Sequence, residues 1–303
     1  MVPPTGSRHR HGYAALIGAV VAFGTAPLFV RAVSAPALTI ATYATWIAAA
    51  ASLLIARLSH ARVSRSVLMA AVPGGLAFAL AQLLAFSAFQ ETSLAIASLI
   101  TTMTPLLVVI AAVPLFGEKL RGVQVLWAAL ALTGVAAVIL GAKDDGEAAL
   151  FGNLLAFGSL VAGASVLLLM KHRRTVGEGV AASAYTAGAF LVAALLETPV
   201  WLVAGERGGI SGEDWLWLVL LAVVSLTAGM GGMAWAQRHV SVAVSSVLAL
   251  GATVITAVGA WVFFDQPLAV VQIVGGLVVL VSLAGIVFAQ LAVPKAVVGR
   301  THE

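Results

Sequence analysis

The chain has 303 residues, of which 61% are hydrophobic and 9% are charged, and its mean hydropathy is +1.08. A soluble globular domain carries roughly 25% charged residues, so this composition excludes a water-soluble domain and indicates a protein surrounded largely by lipid. The net charge of +4 does not indicate nucleic-acid binding, because the basic residues lie in short loops between apolar runs. The chain has no cysteine, which excludes disulfides and thiol chemistry.

Ten apolar runs follow one another along the chain. A membrane-spanning helix needs about 20 apolar residues. The predicted spans are residues 13–33, 37–57, 66–88, 93–115, 121–141, 150–170, 180–204, 214–236, 241–264 and 268–290. The alternation expected of membrane β-strands is absent, and the first run is too long for the core of a signal peptide. The sequence therefore predicts an all-α integral membrane protein with ten transmembrane helices.

An internal repeat divides the chain. The segment Ser93–Ser98 aligns with Ser241–Ser246 at an offset of 148 residues, and the same offset brings Gln124 onto Gln272. The repeat predicts two domains, residues 13–141 and 150–290, with five spans each. An odd number of spans per repeat places the two halves in opposite orientations, as in many solute transporters.

The charges predict the orientation in the membrane. With a cytoplasmic N-terminus, 13 of the 16 Lys and Arg residues fall on the cytoplasmic side. Only Arg31, Lys143 and Arg207 fall outside. Because basic loops are retained in the cytoplasm, we expect both termini there and the protein in the inner, cytoplasmic membrane of the cell.

Several motifs resemble the EamA family of the drug/metabolite transporter superfamily. They are Phe23-Gly24-Thr25 through Arg31, Thr104-Pro105-Leu106, Leu115-Phe-Gly-Glu-Lys-Leu120 with Gln124 and Gly134, and Phe263-Phe-Asp-Gln-Pro-Leu268 with Gln272. The resemblance covers roughly residues 13–290. It implies ten helices, a central cavity and transport of small metabolites, mostly export. The chain departs from the family in two places: the second span has Tyr43-Ala-Thr45 where many members carry an Arg, and Asp265 replaces the second Gly-Glu.

Two acidic residues lie in turns between spans. Glu118 and Asp265 each precede a predicted helix, where a carboxylate complements the helix dipole and caps free N–H groups. We interpret both as architectural residues and not as substrate ligands.

Glu197 lies inside the seventh predicted span. An ionisable group at membrane depth is costly and usually faces a cavity or a partner. One interpretation is a carboxylate that couples transport to protons or binds a cation. The other is a carboxylate near the interface that reaches headgroups or water.

Arg31 ends the first span on the predicted outer side. It is a candidate for attracting a substrate carboxylate in an outer vestibule. The alternatives are contact with lipid phosphate and pairing with an acid such as Glu91.

Uncharged side chains within the spans form the remaining candidate substrate-binding set. Span three has Phe78, Gln82 and Phe86 at helical spacing, followed by Phe89. The other candidates are Ser98 with either Thr101 or Thr102 in span four, Met230, Trp235 and Gln237 in span eight, and Ser246, Thr253 and Thr256 in span nine. Each has an alternative role in helix packing or lipid contact. Together they predict a weakly polar cavity with few fixed charges.

Glycine and other small residues predict two features, close helix packing and a gate. Small-residue stripes in spans five and ten predict close helix contact, with a dimer seam as an alternative. The run Gly229–Gly232 predicts an interruption of span eight that serves a gate.

The sequence favours a secondary transporter that exports a small metabolite by alternating access. Catalytic and nucleotide-binding motifs are absent, so we expect neither an enzyme nor a metal or other cofactor. The resemblance favours amino acids or related amphipathic solutes. Efflux of cationic or lipophilic drugs is the alternative within transport, and a channel or a non-transporting membrane subunit the alternative outside it. The expected partners are the substrate, membrane lipid and protons as coupling ion, without nucleic acid, in a monomer or homodimer.

Overall fold

The computed structural model describes residues 5–116, 122–140, 146–176, 182–204, 210–236, 248–266 and 268–291. Every regular element within these ranges is a helix, which confirms the predicted all-α class. Glu118, Gln237 and Ser246 lie outside the described residues.

The helices follow one another with short connections. Their bounds are α1 Thr5–Ala32, α2 Ala37–Leu58, α3 Arg65–Glu91, α4 Leu94–Thr102, α5 Thr104–Phe116, α6 Gly122–Leu140, α7 Gly146–Val176, α8 Ala182–Ala204, α9 Gly212–Leu220, a π-helical segment Leu221–Gly229, α10 Met230–Ala236, α11 Gly251–Phe264 and α12 Val270–Leu291.

Six of these helical stretches are long and apolar enough to cross a membrane. They are His11–Ala32, Ala37–Leu58, Arg65–Glu91, Ala149–Val166, Ser183–Ala204 and Gly212–Met233. Shorter apolar stretches lie within the other four predicted spans, at Leu94–Val108, Val125–Gly134, Gly251–Phe264 and Val270–Gly285. The count of ten spans stays a prediction. Large apolar side chains cover the outer faces, with Val203, Val270 and Phe263 exposed by 87%, 74% and 72%. Water-soluble monomers rarely expose such extensive apolar surface, so these faces contact lipid.

The fourth predicted span is two helices and not one. A turn at Met103 separates α4 from α5, and the Met103 N–H bonds to the Ile100 carbonyl at 3.1 Å. Pro105 has no backbone N–H to continue the ladder of α4, and proline is favoured in the first turn of a new helix. The break therefore follows from the sequence Thr104-Pro105.

The predicted interruption of span eight at Gly229–Gly232 is wrong in position. The helix runs on through Met230–Ala236, and the departure from α geometry is the preceding π-helical segment Leu221–Gly229. The Thr227 hydroxyl donates to the Ala222 carbonyl at 2.8 Å, five residues back, as expected where the turns are widened.

The expectation that Asp265 caps the following helix is also wrong. Asp265 is instead the C-terminal cap of α11, in the left-handed conformation with φ 50°, which Asp tolerates better than most residues. Gln272 caps the start of α12, where its side-chain oxygen accepts from the Ala269 N–H at 2.9 Å. This contact is half of a capping box.

Helix packing joins the first half of the chain to the second. α3 packs along α7 and α8, α2 along α8, and α1 along the π-helical segment, α10 and α11. Glycines permit the closest approaches. A Cβ on Gly24 of α1 would lie 2.8 Å from the Ala252 carbonyl oxygen of α11. This contact gives a steric reason for the glycine of the Phe23-Gly24 motif.

α6 and α12 form a separate pair that also contacts α4 and α5. Glycines of both helices lie at the contact. A Cβ on Gly134 of α6 would lie 2.8 Å from both the Gly275 carbonyl oxygen and Val279 Cγ2 of α12. The close contact predicted from the stripes is therefore present within one chain, and the dimer seam stays a prediction.

Gly134→Ala is expected to destabilise the protein, because the added methyl group meets backbone that cannot move without separating α6 from α12. Overpacking of this kind costs about 1–3 kcal/mol. Gly276→Ala is the matched control, since a Cβ there has nothing within 4 Å and alanine favours a helix by up to about 1 kcal/mol. Thermal unfolding in detergent measures both variants. Equal melting temperatures for the two would contradict this packing.

Candidate functional site

A cavity of about 190 Å³ lies where α1, α3, α4 and α11 meet. Its lining is Phe23, Ala26, Pro27, Phe89, Ser98, Thr101, Thr102, Ala252 and Thr256. Four of these side chains carry hydroxyl groups, and none of the described lining residues is charged. The volume lies below the roughly 300–1,000 Å³ of pockets for drug-sized ligands. The cavity is thus suited to a small, weakly polar solute.

The hydroxyl groups come from helical spacing. Ser98, Thr101 and Thr102 lie on one face of α4 because residues three and four apart share a face. The Thr101 and Thr102 hydroxyls donate to the Ser98 carbonyl at 3.0 and 2.7 Å. Their donors are occupied locally, so oxygen lone pairs remain for a ligand.

A second set of hydroxyl contacts connects α11 to the first half of the chain. The Thr256 hydroxyl donates to the Gly24 carbonyl at 2.8 Å, and the hydroxyls of Thr253 and Thr102 are in contact. The cavity is therefore built across both sequence halves, with α4 and α11 as its hydroxyl-bearing walls.

The structure brings only some of the predicted binding residues to this cavity. Phe89, Ser98, Thr102 and Thr256 line it together with Thr101, and Thr253 adjoins it through Thr102. Phe78 packs edge-on against Phe190 of α8 with ring centroids 5.1 Å apart. The other predicted residues within the described ranges, Gln82, Phe86, Met230, Trp235 and Arg31, are not among the lining residues.

The α1 wall of the cavity was not among the binding residues predicted from the sequence. Phe23, Ala26 and Pro27 are apolar residues in an apolar helix and carry no polar signal. The available sign was Gly24 beside them, whose missing side chain lets α1 approach α11 closely.

Arg31, in the last turn of α1, contacts the C-terminus of α3 beside the cavity. Its Nη1 donates to the carbonyls of Phe89 and Gln90 at 2.9 and 2.7 Å. A cation stabilises the free carbonyls at a helix C-terminus. Because Phe89 also lines the cavity, the guanidinium is positioned at the rim of the cavity and fixes one of its walls.

Further polar contacts tie the turns together at this end of the bundle. The buried Asp214 accepts from the Ser34 N–H at 3.0 Å and from the Ser211 N–H at 3.2 Å, in a capping box at the start of α9. Gln266, in the turn after α11, accepts from the Leu94 N–H at the start of α4 at 3.2 Å. The chain connections near Arg31 are thereby held to one another.

A second polar cluster lies between α2, α3 and α8. Gln82 Nε2 donates to Thr45 Oγ1 at 2.7 Å and to the Ala41 carbonyl at 3.4 Å. Thr45 is also the polar neighbour of the Glu197 carboxyl group. Neither Glu197 oxygen makes a geometrically good hydrogen bond among the described residues, and Gln82 Oε1 has no partner there.

Protein encloses Glu197. Its side chain is 4% exposed, and seven residues, about 10 Å of helix rise, separate it from the end of α8 at Ala204. The carboxyl group lies beside Thr45 of α2 and not on the lipid-facing surface. Its environment matches that of intramembrane ionisable groups, which face the interior of a bundle.

The apolar helices and the match to a transporter family identify a multi-pass membrane transporter. The chain belongs to the EamA-like transporter family, which matches residues 10–140 and again 150–288. It is 26% identical over 280 residues to a protein from Archaeoglobus fulgidus named an uncharacterized transporter, covering 92% of this chain and 96% of that one. A crystal structure at 21% identity superposes with a TM-score of 0.64 over 95% of this chain and 98% of the other, which shows the shared fold. The family is one of transporters and not of enzymes.

Proposed function

We propose that the protein is a secondary transporter that exports a small metabolite, an amino acid or a related amphipathic solute, by alternating access. The observation that carries this proposal is the cavity of about 190 Å³ between α4 and α11, because each of these helices belongs to a different family repeat. Transporters with internal repeats bind substrate at the junction of the repeats.

The proposal includes ten membrane spans arranged as two inverted repeats. The helix contacts support the arrangement, because they recur when the two halves are exchanged. The exchange converts the contact of α3 with α7 into the contact of α1 with the π-helical segment and α10. It converts the contact of α4 with α7 into the contact of α1 with α11. The pairs α2–α8 and α6–α12 map onto themselves. The odd number of spans per half then makes the relation an inversion.

The proposed orientation places both termini in the cytoplasm of a cell with the protein in its cytoplasmic membrane. A single cysteine at Arg62 is then expected to react with impermeant thiol reagents only from the cytoplasmic side, and one at Glu213 only from outside. Labelling is unambiguous because the native chain has no cysteine. Labelling of position 62 from outside intact cells would contradict the proposed orientation.

The lining favours a small substrate over a large drug. Hydroxyl oxygens and aromatic rings accommodate an amphipathic solute, and the described lining offers no carboxylate to attract a cation. Efflux of a cationic compound is the second candidate, and the buried Glu197 is the observation that favours it. Competition by amino acids or by quaternary amines for saturable flux distinguishes the two, and non-saturable flux would indicate a channel.

Glu197 is proposed to couple transport to protons. A buried charge costs about 2.5–3.5 kcal/mol at the membrane centre on insertion scales, so protonation and deprotonation would favour different packings of α8 against α2 and α3. Each half of a transport cycle would then require a different protonation state.

Glu197→Gln is expected to abolish acceleration of flux by a pH gradient while substrate counterflow at equal pH continues. The substitution keeps the shape of the side chain and removes its titration. Both modes are measured in liposomes containing the purified parent or variant. A variant that responds to the pH gradient as the parent does would rule out coupling through Glu197, and counterflow absent from the folded parent would rule out a carrier.

A further inference from the structure

We propose that Gln82, Thr45 and Glu197 form one buried proton site, and that the Phe86 ring seals this site from the hydroxyl-lined cavity. The inference rests on the proposed coupling role of Glu197 and adds two positioning residues, a barrier and a physical separation of proton from substrate.

Contacts through Thr45 connect the three side chains. Thr45 Oγ1 accepts from Gln82 Nε2 at 2.7 Å, so the Thr45 hydroxyl hydrogen is available to turn toward the neighbouring Glu197 carboxyl group. Gln82 Oε1 and both oxygens of Glu197 have no partner among the described residues. The cluster thus has three unpaired buried acceptors and one available donor, whereas buried polar atoms are normally paired.

A proton bound to Glu197 supplies a further hydrogen-bond donor to the cluster. Protonated Glu197 carries an O–H group that can donate to Gln82 Oε1 or Thr45 Oγ1. The side chains of Thr45, Glu197 and Gln82 are 0%, 4% and 5% exposed, so the cluster suits a ligand that needs almost no space. The described residues contain no group of three His, Asp or Glu side chains that would hold a metal ion.

The charged and titratable groups on the packed helices lie away from this cluster. Tyr43 of α2 is turned toward the rings of Trp201 and Trp215, and Asp214 of α9 is held by Ser34 and Ser211. The others are Arg57 on α2, Arg65 and Glu91 on α3, Tyr185 on α8 and Glu213 on α9. At least nine residues of helix, or about 13 Å, separate Thr45, Gln82 or Glu197 from Arg57, Arg65, Glu91 and Tyr185 on the same helices. The polar neighbour of Glu197 is thus the neutral Thr45, which in turn is hydrogen-bonded to the neutral Gln82.

Phe86 separates this cluster from the cavity along α3. Gln82 and Phe89 are seven residues apart on the same helix face, about 10 Å along the axis, and Phe86 lies between them on nearly the same face. Phe89 lines the cavity, whereas Gln82 does not and no residue of α2 or α8 does. The Phe86 side chain is 4% exposed and belongs to the main hydrophobic core. Proton and substrate therefore occupy different sites, and their coupling passes through helix movement.

The test measures proton leak without substrate, using a pH-sensitive dye inside liposomes that contain the purified protein. Phe86→Ala is expected to dissipate an imposed pH gradient at least several-fold faster than the parent. Phe86→Leu, which retains most of the volume, and Leu80→Ala, at a side chain 51% exposed on the outer face of the same helix, are expected to stay tight. Adding Glu197→Gln to Phe86→Ala should abolish the leak, because the protons pass through Glu197.

A folded Phe86→Ala protein that stays tight, or a leak that persists without Glu197, would overturn the inference. These results differ from failure of the proposed coupling, in which Glu197→Gln alone leaves gradient-driven flux unchanged. If Phe86→Ala does not fold, thiol labelling of the otherwise intact protein decides. Ser98→Cys in the cavity should react with a small impermeant reagent under transport conditions and Thr45→Cys should not, and equal rates would refute the seal.

Discussion

Inside a membrane, a polar group finds a hydrogen-bond partner only within the protein. This constraint accounts for the helices and for the side chains that satisfy their ends. Arg31 binds the last carbonyls of α3, Gln266 binds the first N–H of α4, and Gln272 binds the N–H group before α12. The unpaired atoms of Gln82 and Glu197 stand out against this background. Their cost is reasonable only if some state of the protein supplies the missing donor.

Close helix contact shapes the cavity under the same constraint. Gly24 lets α1 approach α11 closely enough for Thr256 to donate to its carbonyl. That hydrogen bond fixes Thr256 in the wall, and the contact of Thr102 with Thr253 fixes α4 against α11. The cavity that remains is walled by both halves of the chain. A displacement of one half relative to the other would change its shape and its access.

Much of the fold could be predicted from the sequence, because apolar runs of about 20 residues have one stable outcome in lipid. Two local features were not predicted: the π-helical segment, which depends on the local backbone, and the turn at Met103, although Pro105 gives a physical reason for that turn. The site was predicted in part. Ser98 and Thr102 carried a polar signal, whereas Phe23 and Pro27 carried none. The partnership of Thr45, Gln82 and Glu197 depends on three helices whose relative rotation follows from packing.

The central claim is that the two halves must move relative to each other around the cavity at α4 and α11. Thr102→Cys combined with Thr253→Cys tests this directly, because the two hydroxyls are in contact and the native chain has no other cysteine. Saturable flux into liposomes is measured before oxidation, after oxidation and after reduction. The account predicts that the disulfide stops flux, that reduction restores it, and that each single variant is insensitive to oxidation. Full flux through the oxidised, cross-linked protein would contradict it.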